Sequence, residues 1–224
     1  RASTAMDLRV DQRHSRSFIG DVELVNQRKE TTSAVLSVRH RHALGPGRLD
    51  ARVTGKFGVP WLGGYRDAPA TSPAYPTYEY RVASFDANWD QALPWMGLQW
   101  RSELRGQVSD DTLYGSEQFA VGSRFSVRGF SGEQPLTGER GALWRNTVTW
   151  RATGALDLYG GVDVGQVSGA STVHLTGNPV SGAVVGARGA AGAASFDFFT
   201  GLGLSAPQGI DRSAVFGAQL TFSL

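Results

Sequence analysis

The chain has no cysteine, so disulfide frameworks and thiolate metal sites are excluded. It also lacks any run of about 18 apolar residues, which rules out a membrane-crossing helix. No charge of one sign dominates: 22 Lys+Arg stand against 20 Asp+Glu, a formal net charge of +2. No basic block is concentrated anywhere, and no nucleic-acid partner is expected. A Gly-x-Ser-x-Gly elbow, a phosphate-binding glycine loop and a metalloprotease signature are all missing. Neither an enzymatic activity nor a cofactor is expected. The opening Arg1-Ala2-Ser3 carries no initiator Met and no basic-then-apolar leader, so the chain reads as a mature or cut fragment.

What is present is glycine, 29 residues of it, and alternation. Met6, Leu8 and Val10 alternate with Asp7, Arg9 and Asp11. Leu49, Ala51, Val53, Gly55 and Phe57 alternate with Asp50, Arg52, Thr54 and Lys56. The same pattern recurs at Ala83–Trp89, Leu98–Gln107 and Leu156–Val164. Strict period two marks strands with one apolar and one polar face. Less regular segments at Phe18–Asn26, Thr32–His42, Ala142–Arg151, Val180–Ala190, Ala194–Leu204 and Ala214–Leu224 bring the expectation to eleven strands.

Three features separate a membrane barrel from a soluble sandwich. The strands run roughly ten to thirteen residues, the length that crosses a bilayer at a tilt. Connections alternate between short ones (Gln12–Ser15, Ala43–Arg48, Asp90–Trp95, Ala152–Gly154, Ala191–Ala193) and long ones (Val59–Pro76, Ser109–Arg140, Gln166–Pro179, Ser205–Arg212). Gln27–Thr31 is the one short member of the long set. Short turns on one side and long loops on the other belong to outer-membrane barrels. Aromatics cluster toward strand ends, at Trp61, Trp89, Trp95, Trp144, Trp150, Tyr78 and Tyr80, as interfacial girdles require. Arg101, Glu103, Arg105 and Gln107 form an unbroken polar row, as do Arg145, Thr147, Thr149 and Arg151. Facing lipid these charges would be costly; facing a water-filled lumen they stay solvated. The expected fold is therefore an all-β, antiparallel transmembrane β-barrel with a wet interior.

The run Leu113-Tyr114-Gly115-Ser116-Glu117-Gln118-Phe119-Ala120-Val121-Gly122, followed by Ser126-Val127-Arg128-Gly129-Phe130, resembles the two-partner-secretion outer-membrane translocators. Gly161-Val162-Asp163-Val164-Gly165 is similar to a second barrel motif of that family. The resemblance implies the C-terminal eleven strands of a sixteen-strand barrel, with five strands and periplasmic domains preceding them. It further implies secretion of a large unfolded exoprotein, of adhesin or haemolysin type, through the lumen. The other implied partners are outer-membrane lipid, lipopolysaccharide and the barrel-assembly machinery, and the implied location is a Gram-negative outer membrane. An assembly signal is expected at Gly217, Leu220, Phe222 and Leu224. The Val-Arg-Gly-Phe core is shared with barrel-assembly insertases of the same superfamily, so membrane-protein insertion stays open as the alternative. A passive porin or a rim enzyme ranks behind both.

The long segment 109–140 is expected to fold back into the lumen, since about thirty residues without a strand pattern need a reason. Doubled over, that length reaches about 50 Å. Gly129 permits a sharp turn beside Arg128, a candidate loop tip. Asp163 lies on the polar face, and Gly161 and Gly165 leave room on either side. Val127, Arg128, Gly129 and Phe130 are thus expected to form a latch, with Arg128 paired to Asp163 by a charge-assisted contact. His40 and His42 share a strand face, but no third metal ligand is visible.

Overall fold

Alternating residues become a wall. The computed structural model describes residues 2–25, 28–69, 72–172 and 179–223. Its strands are β1 (Ala2–Ser15), β2 (Phe18–Ile19), β3 (Val22–Glu23), β4 (Lys29–Leu44), β5 (Gly47–Gly58), β6 (Arg81–Leu93) and β7 (Leu98–Val108). They continue as β8 (Phe119–Val121), β9 (Leu136–Gly138), β10 (Arg140–Thr153), β11 (Leu156–Ser168), β12 (Val180–Ala191), β13 (Ala194–Ser205) and β14 (Val215–Phe222). One ten-stranded sheet runs β1-β4-β5-β6-β7-β10-β11-β12-β13-β14, and every neighbouring pair is antiparallel. Among the described residues no helix is long and apolar enough to cross a membrane.

The expected eleven strands are corrected to ten. β1 continues through Gln12–Ser15, expected as a turn, and pairs directly with β4 from Ala2↔His42 to Ser15↔Lys29. The described part of the Phe18–Asn26 stretch, residues 18–25, does not join the wall, Asn26 lying outside the described residues; Phe18–Ile19 and Val22–Glu23 close on each other as a small hairpin. The physical reason is Gly20, held at φ 57°, which with Asp21 forms a tight two-residue hairpin turn. With this change the exception among the connections vanishes. Long ones fall at 16–28, 59–80, 109–139, 169–179 and 206–214, short ones at 45–46, 94–97, 154–155 and 192–193. Five wall strands precede segment 109–139 and five follow it.

The apolar face is the bare one. Val53, Val162, Val185, Leu202, Leu204, Trp144 and Trp150 are exposed on it. An apolar surface of that extent marks a membrane or an interface. The opposite face carries the charges, and segment 109–139 lies against it. Glu117 comes within 3.8 Å of Arg13 on β1, while Arg124 donates a 3.2 Å hydrogen bond to Gln219 on β14. A flat sheet of ten strands would be about 43 Å across. One short stretch of loop touches both edges, so the sheet is curled around it.

Two expectations change on this inner side. Tyr78 and Tyr80 are not girdle residues. Tyr80 is buried with Val82 and Leu113, and Tyr78 packs on Tyr114 at 4.8 Å and edge-on to Tyr65. Nor is the interior uniformly wet. Val121, Val127, Phe130 and Leu136 of the loop form a buried cluster with Leu143 and Val180 of the wall. Leu143 and Val180 occupy inner-face positions, so loop and wall share an apolar cluster on the inner side. Burying such side chains contributes about 1.5–3 kcal/mol each, which holds the loop in place independently of any charge.

Candidate functional site

The loop is anchored at its neck before it reaches the wall. Gly115–Glu117 makes a single 3-10 turn that carries Glu117 to Lys56, with which it forms an ion pair. Gln118 donates to the Leu113 carbonyl at 3.1 Å and to the Ser171 hydroxyl at 2.7 Å. Glu139, 2% exposed, accepts from the Ser171 hydroxyl and, at 3.1 Å, from the Ser171 backbone N–H. Burial pushes the Glu139 carboxyl up, but hydrogen bonds from Ser171, together with backbone ones at Glu139 and Leu113, hold the group below its ordinary value. β8 and β9 pair across the neck from Phe119↔Gly138 to Val121↔Leu136.

Beyond the neck, Gly122 turns the chain at φ 92°. Ser123 and Ser126 then close a hydroxyl-braced turn, with the Ser126 N–H donating to the Ser123 carbonyl at 3.1 Å. This turn aims Arg128 at β11. Arg128 Nε donates to Asp163 Oδ2 at 2.7 Å and Nη2 donates to Oδ1 at 2.6 Å. The Arg128 backbone N–H adds a third bond to Oδ2 at 2.9 Å. Nη2 also donates to the Asn146 carbonyl at 3.2 Å and to the Thr147 hydroxyl at 2.9 Å. Asp163 is 1% exposed and Arg128 8%. The structure thus brings Arg128 and Asp163 together in a buried, bidentate pair.

Space for the pair comes from missing side chains. A β-carbon on Gly161 would stand 2.5 Å from Arg128 Nη2, and one on Gly165 would stand 2.8 Å from Val127. Gly182, Gly201 and Gly203 extend this floor onto β12 and β13. A β-carbon at Gly182 would overlap the Arg128 carbonyl oxygen, one at Gly201 would come within 2.9 Å of Gly129 Cα, and one at Gly203 within 2.8 Å of Phe130. Sequence reasoning missed these three. Their signal is glycine at inner-face parity on the strands after Asp163, Gly201 and Gly203 being two apart.

Arg145 was read only as a polar-row residue. It sits 3.4 Å from Glu103 and 3.8 Å from Asp163, and its Nε is buried with no hydrogen-bond partner. The loop's deepest point is not Gly129, although Gly129 does turn, at φ 100°. Arg124 reaches further toward the short turns. Arg124 lies over the Phe199 ring at 4.6 Å and 3.6 Å from Asp197, in the row of Asp157 rather than of Asp163. Gly129 serves instead as close packing against the Leu202 carbonyl.

The remaining expected residues are separate from this site. Gly217 lies under the Phe199 ring, while Leu220 and Phe222 are exposed on the outer face of β14. Leu224 lies outside the described residues. The rings of His40 and His42 stand 5.7 Å apart, and His40 pairs with the Thr4 hydroxyl. No cluster able to hold a metal occurs among the described residues.

A curled antiparallel wall, apolar outside, with a long loop pinned to its polar face by a buried ion pair, defines a segment of a transmembrane β-barrel. The chain belongs to the haemolysin secretion/activation protein ShlB/FhaC/HecB family, whose model matches residues 1–189. It is 30% identical over 223 residues to the outer membrane transporter CdiB-2 of Burkholderia pseudomallei strain 1026b, covering 96% of this chain and 38% of that protein. It is 30% identical over 157 residues to the hemolysin transporter protein ShlB of Serratia marcescens, covering 67% of this chain and 27% of ShlB. The solved structure of CdiB from Escherichia coli superposes with a TM-score of 0.87 over 98% of this chain and 41% of that one, at 23% identity. The chain therefore spans well under half the length of the relatives it matches.

Proposed function

We propose that this chain is the C-terminal part of an outer-membrane translocator of a Gram-negative bacterium, which secretes a large unfolded exoprotein through its lumen. The observation that carries the reading is the buried Arg128–Asp163 pair, which ties a thirty-one-residue connection, 109–139, to the inside of the wall. A passive pore has no need of such a plug. The family match and relatives named as outer membrane and hemolysin transporters support secretion over membrane-protein insertion. On this reading the short turns face the periplasm, and the apolar outer face meets lipid and lipopolysaccharide. Leu220 and Phe222 of the last strand engage the barrel-assembly machinery, and further strands and periplasmic domains precede Arg1.

The loop is a latch that must release without stranding a charge. Removing Arg128 while Asp163 stays buried would leave an unpaired carboxylate, a loss of about 3–5 kcal/mol. Arg145 is placed to limit that loss, 3.8 Å from the same carboxylate and with an unsatisfied Nε. As the loop leaves, Arg145 turns from Glu103 to Asp163 and neutralises it. Release thus exchanges one arginine for another.

The test is charge reversal in the full-length protein. Arg128→Asp abolishes secretion of the exoprotein, and adding Asp163→Arg restores part of it. Unchanged secretion in Arg128→Asp, with the barrel normally inserted, would overturn the latch.

A further inference from the structure

The short-turn half of the lumen carries a charge arrangement that the latch does not use. Asp50 is held between Arg39 and Arg41, the latter at 3.0 Å, and Asp90 lies between Arg101 at 2.6 Å and Arg48 at 3.6 Å. Across the wall Asp157 lies between Arg151 and Arg188, both at 3.5 Å. Higher up, Glu103 lies between Arg145 at 3.4 Å and Arg105 at 3.8 Å. Each carboxylate is shared by two guanidiniums; Asp7 also acts on Arg39 and Asp197 stands opposite Arg188, so eight arginines face six carboxylates and the belt as a whole stays positive. Arg52 and Asp86 stand opposite each other in the ladder and cancel.

Exposure decides which sign a passing molecule meets. The four carboxylates are 16–24% exposed, whereas Arg48, Arg101, Arg151 and Arg188 are 45–75% exposed. The acids lie at the wall and the arginines stand out into the lumen. Exposed guanidiniums present planar donor forks suited to carboxylates. A cavity of about 190 Å³, lined in part by Arg101, Arg188, Glu103, Arg145 and Arg128, joins this belt to the underside of the latch.

We infer that the belt is a binding surface for an extended, acidic stretch of polypeptide, engaged at the short-turn end before the latch opens. Each triad already holds its arginines in place, so a client carboxylate meets donors that need little ordering. A chain led by its acidic side chains along the belt enters the same cavity as Arg128. There a carboxylate competes with Asp163 for that guanidinium. Only the identification of the client as an exoprotein rests on the translocator reading; the belt itself rests on the triads.

The experiment uses the full-length protein in planar bilayers, with a short glutamate peptide or a lysine peptide of equal length added on the short-turn side. The glutamate peptide blocks the current in wild type, the lysine peptide does not, and added salt weakens the block. Replacing Arg48, Arg101, Arg151 and Arg188 together by Gln weakens the block by roughly tenfold, from four exposed pairings of modest strength. The four Lys replacements retain most of it. If the quadruple Gln variant does not insert, Arg151→Gln with Arg188→Gln, which empties one triad, gives the same direction. Equal block by both peptides, or block unchanged by the Gln variants, overturns the inference. No exoprotein is present in this assay, so its outcome is independent of the secretion test on Arg128 and Asp163.

Discussion

The Arg128 carbonyl oxygen occupies the space that a β-carbon would take on Gly182. Two strands beyond β10, therefore, the wall is cut to the shape of the loop's backbone as well as its charge. Gly182→Ala forces the loop off the wall, and overpacking of this kind costs about 1–3 kcal/mol. The variant is expected to raise open-channel conductance and to expose the loop. Since the chain has no cysteine, a thiol introduced at Ser126, which is 6% exposed, and its labelling rate report that exposure. Gly154→Ala, where a β-carbon meets nothing within 4 Å, should leave both readings unchanged.

The bidentate geometry sets a second expectation. Lys at position 128 keeps the charge but loses the fork that spans both Asp163 oxygens. Arg128→Lys should therefore open the channel part of the way to the Arg128→Ala level. Conductance equal to wild type in Arg128→Lys would show that charge alone holds the loop.

On the proposed exchange, Arg145→Gln removes the group that would inherit Asp163. The closed state keeps Arg128 on Asp163 and changes little, but the released state then strands a carboxylate. Release should become rarer, seen as fewer openings per unit time in single-channel records and slower secretion. Faster opening would contradict the exchange.

The neck answers to pH through Glu139, whose carboxyl lies below its ordinary value of 4.5 because its hydrogen bonds, those from Ser171 foremost, together outweigh burial. A depressed folded value means the contribution is complete above the ordinary value and is lost as pH falls through the folded one. Hydrogen exchange at 113–119 should accelerate on acidification below about 4.5, and Glu139→Gln should flatten that response. An identical acid response in the variant would remove Glu139 as its source.

Much of this was legible along the chain. Alternation of Leu98, Trp100, Ser102 and Leu104 with Gln99, Arg101, Glu103 and Arg105 assigns each residue to a face, because side chains in a strand repeat every two positions. The same parity puts Asp163 on the polar side and Gly161 and Gly165 beside it. Arg128 stood out because the Val-Arg-Gly-Phe run around it resembles the translocator motif, within a segment too long to be a turn. Tyr78 and Tyr80 were misplaced because aromaticity near a strand end does not say whether a loop will cover the ring. The Phe18–Asn26 stretch was misplaced because a short apolar run shows its hairpin only when Gly20 takes a positive φ and the pairing partner is known.

Local periodicity, turn residues and the absence of cysteine and long apolar runs were enough to define an antiparallel wall with an oily and an ionic side. They acted through backbone geometry, which needs only neighbours in sequence. Which ten strands form the wall, which glycines lie beneath Arg128, why Leu143 faces inward yet is dry, and how Arg145 comes to stand between two carboxylates depended on strands far apart in sequence meeting in register. Those choices are made by packing and charge pairing between distant segments, and they exist only once the sheet has curled around its loop.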